Sequence, residues 1–131
     1  MAALAKSGIP SLCSPVPARE HTIAGKLAGA AIAAGDACYL NADGKVYPST
    51  GAAANAAAVV DGYAAVAAPI NEAVTLYQEV HFHYAAGMTS GVNYFLSGTV
   101  AGGLDTVASV GGTVAVARSI DATRLSLKRS W

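Results

Sequence analysis

Charge is scarce in this sequence. Only 12% of its 131 residues are Asp, Glu, Lys or Arg, about half the share usual in soluble domains. The eight basic and eight acidic side chains cancel, so no electrostatic footprint for nucleic acid is expected. The small basic group Arg124, Lys128 and Arg129 reads as a solvated strand end. A surface with so little charge argues that part of it is covered, most simply by other protein subunits. A small domain with a plain surface is the alternative.

Cysteine is equally sparse. Cys13 and Cys38 form no C-x-x-C pair and cannot build a four-cysteine zinc site. Nothing forces a disulfide between them, and two isolated, mostly buried thiols in a reducing compartment are expected. Residues 1–10 hold one lysine and no sustained apolar core, so no secretory leader is expected there. Long hydrophobic runs are missing too: the stretch from Leu27 to Ala34 contains Gly29 and stops at Gly35-Asp36, too short to span a membrane.

Chemistry-bearing clusters are the last shortage. The acids Asp36, Asp43, Asp61, Glu72, Asp105 and Asp121 sit beside glycines or in turn-like stretches, and turn chemistry accounts for them. No serine lies in a G-x-S-x-G setting, and GVNYFLSGTVAGG is neither a phosphate loop nor a dinucleotide fingerprint. The one candidate is HFH at 81–83. On a strand His81 and His83 project from one face, about 7 Å apart, and Glu79 shares it. Two imidazoles and a carboxylate could hold zinc or iron in a small metal-dependent enzyme. Two solvated histidines on an outward strand face are the expected reading of so weak a motif, and a protonation-sensitive subunit contact is a third. No catalytic residue, metal or cofactor is assigned, and an enzyme is not expected.

What the sequence does contain is alanine, glycine and short apolar segments. Hydrophobic residues make up 53%. In AAGDACYLNADGKVYPS, residues 33–49, the alanines favour helix by propensity. Asp43-Gly44, flanked by Tyr39, Val46 and Tyr47, favours two strands around a tight turn, and the hairpin is the expectation. EAVTLYQEVHFHY, residues 72–84, alternates with period two. It predicts one strand with Val74, Leu76, Val80, Phe82 and Tyr84 inward and Gln78 as the exception. Tyr94 with Leu96, Val114 with Val116, and Leu125 with Leu127 repeat the pattern, with glycines between. Such grammar predicts an all-β fold, a small antiparallel β-barrel or β-sandwich. The low-complexity stretch STGAAANAAA, residues 49–58, is expected as a loop with some helical character. The six tyrosines, without basic neighbours, are expected in the core and at interfaces.

Residues 1–20 differ from the rest. Pro10, Pro15 and Pro17 exclude a regular helix. Ile9, Leu12 and Val16 follow no helical period. The expectation is an extended arm that gains order by lying on another surface, followed by a single domain over residues 21–131. Ile9, Pro10, Leu12, Pro15, Val16, Pro17 and Arg19 are the candidate contacts to other subunits.

The run AGDACYLNADGKVY at 34–47, then DGYAAVAA, EAVTLYQ, GMTSGVNYFLSGTVAGGLDT and VAVARSIDATRLSLK, resembles the capsid cement (head decoration) proteins of tailed bacteriophages. The likeness lies in G-D-x-x-Y-x-x-x-D-G-K-V-Y, Gly35 to Tyr47, in G-x-T-x-G-x-x-Y-x-L-S-x-T-x-A-G-G-L, Gly87 to Leu104, and in a closing strand pair around Asp121 to Thr123. It covers residues 21–131, and the second motif is the more specific. It implies a small β-barrel or β-sandwich without catalytic residues. It implies a protein made in the host cytoplasm that binds the outer surface of the expanded head, commonly as a homotrimer at three-fold and quasi-three-fold positions. There it would tie major capsid proteins together against the pressure of packaged DNA, contacting neither nucleic acid nor membrane. A tail or fibre module of similar β grammar is the alternative.

Overall fold

The computed structural model describes residues 3–13 and 21–131. Among the described residues, eleven short strands make up two antiparallel sheets. The strands are β1 (Ser11–Leu12), β2 (Thr22–Leu27), β3 (Ala37–Leu40), β4 (Val46–Pro48), β5 (Gly62–Ala64) and β6 (Ala73–Tyr77). They continue as β7 (Glu79–His83), β8 (Asn93–Leu96), β9 (Leu104–Asp105), β10 (Ala115–Ser119) and β11 (Arg124–Lys128). One sheet runs β1-β7-β11-β10-β8-β9 and the other β2-β6-β5-β3-β4. The all-β expectation is met, as two open sheets.

The larger core lies between the sheets. Phe82, Leu125, Leu127, Tyr94, Leu96 and Val116 of the six-stranded sheet meet Ala37 and Tyr63 of the other. The Tyr63 hydroxyl reaches across to the carbonyl oxygens of Val116 and Lys128, 3.2 Å from each. The five-stranded sheet is buried on its far face as well. Cys38, Ala64, Val74 and Leu76 pack there against Ala28, Ile32 and Ala68, forming a second, smaller core. Small side chains suit this position: the alanine-rich 28–34 segment lies close to the sheet, with Gly29 NH bonded to Val46 O at 2.8 Å.

The 37–48 hairpin forms as expected. Leu40 pairs with Val46 and Tyr39 with Tyr47. Gly44 takes φ of +84°, the left-handed geometry that closes a three-residue loop. Asp43 fastens the turn, accepting bonds from Lys45 NH at 2.9 Å and from the Tyr47 hydroxyl at 2.6 Å. The alanine stretch at 49–58 is a loop ending in a single 3-10 turn, Ala56–Ala58, capped by the Asn55 side chain.

Residues 72–84 differ from the single predicted strand. Alternation is obeyed throughout, yet β6 belongs to one sheet and β7 to the other. Gln78 is the crossing point. Its NH donates to His21 O and its carbonyl accepts from Arg129 NH, both at 2.8 Å. Val74 and Leu76 therefore enter the smaller core, while Val80 and Phe82 enter the larger one. β10 also departs from simple alternation. The register shifts between Ala115 and Ala117, so Val116 and Ala117 are both buried and Val114 stands half-exposed. A bulge admits one extra residue into the strand and turns the following side chains.

Part of residues 1–20 belongs to the body of the fold. β1 adds to the edge of β7, with Leu12 opposite Phe82. Leu4 NH, Ser7 NH and Cys13 NH bond to the carbonyls of Leu104, Tyr84 and His81. Lys6 pairs with Asp36 at 2.8 Å. Both cysteines are free thiols, Cys38 buried and Cys13 half-buried, and burial raises both thiol pKa values.

Candidate interaction surface

Two loop regions, residues 49–60 and 97–114, meet beside the β4 and β9 edges of the sheets. Between them they contain one ionisable side chain, Asp105, and that is buried. Their polar groups are used to lock loop to loop. Gly51 NH donates to Ser97 O, and Gly111 NH to Gly51 O, both at 2.9 Å. Ser109 Oγ donates to Leu96 O at 2.7 Å and accepts from Gly112 NH at 2.9 Å. Ser49 Oγ holds Val59 O at 2.7 Å. Ser97 Oγ accepts from Thr99 NH and Val100 NH, both at 3.1 Å. Glycine is required where the backbones touch: a Cβ on Gly111 would collide with Ala53 O and Ala58 Cβ.

Outside, exposed valines stand among the uncharged polar side chains of Asn55, Thr99, Thr106 and Thr113. Val59, Val107 and Val114 are between a third and just over a half exposed, and Val110 is 71% exposed. Two shallow grooves flank the Ser109–Gly112 turn, one of about 330 Å³ containing Val107 and Val110 and one of about 250 Å³ containing Val59 and Val114. The result is an uncharged, valine-bearing rim on a hydrogen-bonded frame. It can bury area against another protein with little rearrangement.

The outer face of the six-stranded sheet has the opposite character. Register aligns Glu79 with Lys128, His81 with Ser126, and His83 with Arg124. Arg118, beside Ser126, bonds Asn93 Oδ1 at 2.8 Å. Arg124 bonds Asp121 at 2.7 Å. The Asp121 carboxyl is held at about 2, first by Thr123 NH and then by this guanidinium. Glu79, His81 and His83 share an exposed face as expected. Among the described residues, however, no three His, Cys, Asp or Glu side chains gather closely enough to hold a metal ion.

The predicted contact residues separate. Ile9 is 82% exposed, Pro10 is buried and Leu12 is half-buried. Pro10 lies against Gly35, where an added Cβ would come within 2.9 Å of the proline ring. Of the described contact residues, only Ile9 is fully presented to a partner. Pro15, Val16, Pro17 and Arg19 lie outside the described residues. The valine rim was not among the expected contacts; its signal in the sequence is the near-absence of charge from residues 49–60 and 97–114. No helix among the described residues is long and apolar enough to cross a membrane. Compared with protein-family models, with curated proteins and with solved structures, the chain matches none.

Proposed function

We propose that this chain is a capsid cement protein of a tailed bacteriophage. In this reading it binds the outer surface of the mature head, as a homotrimer at three-fold and quasi-three-fold positions, and strengthens contacts between major capsid proteins. The sequence motifs supply the resemblance. The observation that carries the reading is the valine rim, an uncharged surface with exposed valines on a frame of loop-to-loop hydrogen bonds. An adhesive protein requires a stiff surface of this kind, because ordering a mobile one on binding costs free energy. Many modest contacts per trimer sum to firm attachment. A protein that binds the assembled shell and not its separated subunits stabilises the shell by mass action.

Quantitative mass spectrometry of purified source particles tests this. Near-equal copies of this chain and the major capsid protein are expected. A handful of copies would move the protein to the tail or a vertex. Absence from particles would reject the virion role.

A further inference from the structure

Next to the Val107–Val110 groove, with which it shares Thr99, a cavity of about 500 Å³ opens between residues 3–6 and the 99–103 loop. Its size falls within the range of small-molecule sites, about 300–1,000 Å³. Leu4 and Val100, with Ala3, Ala5 and Gly103, form apolar walls. Four polar side chains, Lys6, Asp36, Tyr84 and Thr99, complete the lining.

Lys6 Nζ stands 2.8 Å from Asp36 Oδ1, and Asp36 Oδ2 accepts from Ala33 NH at 2.9 Å. The ion pair is internally compensated, so the polar end carries no net charge. A charged ligand would have to break the pair and strand one partner in a half-enclosed site. Tyr84 differs. It is 1% exposed, and its hydroxyl is the one buried side-chain polar atom among the described residues without a hydrogen-bond partner. A buried donor left unpaired is costly, and an oxygen that accepted its proton would recover that cost. The Lys6 ammonium stands 6.0 Å from the Tyr84 ring centre. A ligand that reaches the buried hydroxyl must shift a neighbouring side chain, and the flexible Lys6 stem can move with its ammonium kept on Asp36.

We propose that this cavity binds a small neutral molecule with an apolar body and one hydroxyl or carbonyl oxygen. The body lies against Leu4 and Val100, and the oxygen accepts from Tyr84. Because residues 3–6 form one wall, an occupied site also fastens that segment to the body.

The test is a titration of the full-length protein with cyclohexanol, and separately with cyclohexanecarboxylate, followed through backbone amide shifts. Saturable shifts at Leu4, Lys6, Val100 and Gly103 are expected with the alcohol, and binding at least about tenfold weaker with the carboxylate. Tyr84→Phe should weaken alcohol binding about fivefold, the worth of one hydrogen bond. Val100→Trp, a change at a half-exposed loop position, should abolish it by filling the space. Absence of saturable shifts, equal binding of the carboxylate, or binding unchanged in either variant would overturn the proposal. The cavity and the valine rim share none of the side chains tested, so failure here leaves the cement reading standing.

Discussion

Tyr63 and Tyr84 offer the same chemical change in one core with opposite expected results. Both are buried side chains of the larger cluster, and burial raises both phenol pKa values. The Tyr63 hydroxyl lies 3.2 Å from two carbonyl oxygens, one on β10 and one on β11. That of Tyr84 has no partner. Tyr63→Phe loses a neutral hydrogen bond and leaves buried carbonyls with less than their full complement, a cost of about 1–2 kcal/mol. Tyr84→Phe removes a donor with nothing to donate to, so it should be neutral or stabilising by up to about 1 kcal/mol. The phenyl ring remains in both variants, so packing is nearly constant and the difference isolates the hydroxyl. Urea unfolding with unchanged m values reads it directly. At this chain length the two variants should differ in Tm by roughly 4–10 °C. If Tyr84→Phe destabilised the protein as much as Tyr63→Phe, the Tyr84 hydroxyl would have to be satisfied in the native state, and the reasoning would fail.

Other outcomes follow from the same structure. Burial keeps Cys38, Tyr63 and Tyr84 protonated above their ordinary pKa values. Their contribution is complete below the unfolded-state values and is lost as pH rises through them. Stability should therefore fall by up to about 4 kcal/mol per pH unit beyond pH ~10, at about 1.4 per group; a flat unfolding free energy from pH 9 to 11 would contradict this. Val110→Asp, at an exposed position, should change the unfolding free energy by less than about 0.5 kcal/mol. Under the proposed cement role, the same substitution should weaken attachment to purified heads at least about tenfold, and undiminished head binding would exclude the rim from the contact. Gly111→Ala drives a methyl into the Ala53 carbonyl and Ala58 and should cost about 1–3 kcal/mol in denaturant melts. Under the same proposal, deleting residues 1–20 should weaken head attachment; it should leave the body folded, because both cores lie almost wholly in residues 21–131. Its Tm should fall, since Lys6 no longer compensates Asp36 and β7 loses its edge partner. Unchanged attachment of this variant would remove the arm from the contact surface.

How much of this could be read from the sequence depended on whether the deciding interaction was local. The 37–48 hairpin was legible because Asp43-Gly44 determines its own turn, whatever surrounds it. Alternation over 72–84 showed which residues are buried but not where they go. The even positions stay inward through Gln78, so the period continues unbroken while the sheet changes. The bulge in β10 left no mark either, since Ala115 and Ala117 are alike in composition and only pairing with β8 distinguishes them. Prolines announced an extended segment near the start. That residues 3–13 lie against their own domain depends on a socket made by Gly35 and Tyr84, far along the chain. The valine rim was legible only as an absence, in a stretch whose alanines and glycines drew attention to turns. The cavity depends on Lys6, Asp36 and Tyr84 converging from three separate segments, and no pattern of spacing reports that.

The crossing at Gln78 bears on how the molecule responds to tension. β6 and β7 form one nearly continuous run of backbone, with a single residue between strands of different sheets. Most sheet-to-sheet connections have slack that must be drawn out before load passes. This one has almost none. Its middle is gripped from both sides, by His21 on one strand-end and Arg129 on the other. A pull applied to the five-stranded sheet is handed to the six-stranded sheet through covalent bonds, before either core has to yield. In a shell that swells under internal pressure, a link of that kind would let each subunit behave as one stiff piece rather than as two sheets that can slide apart.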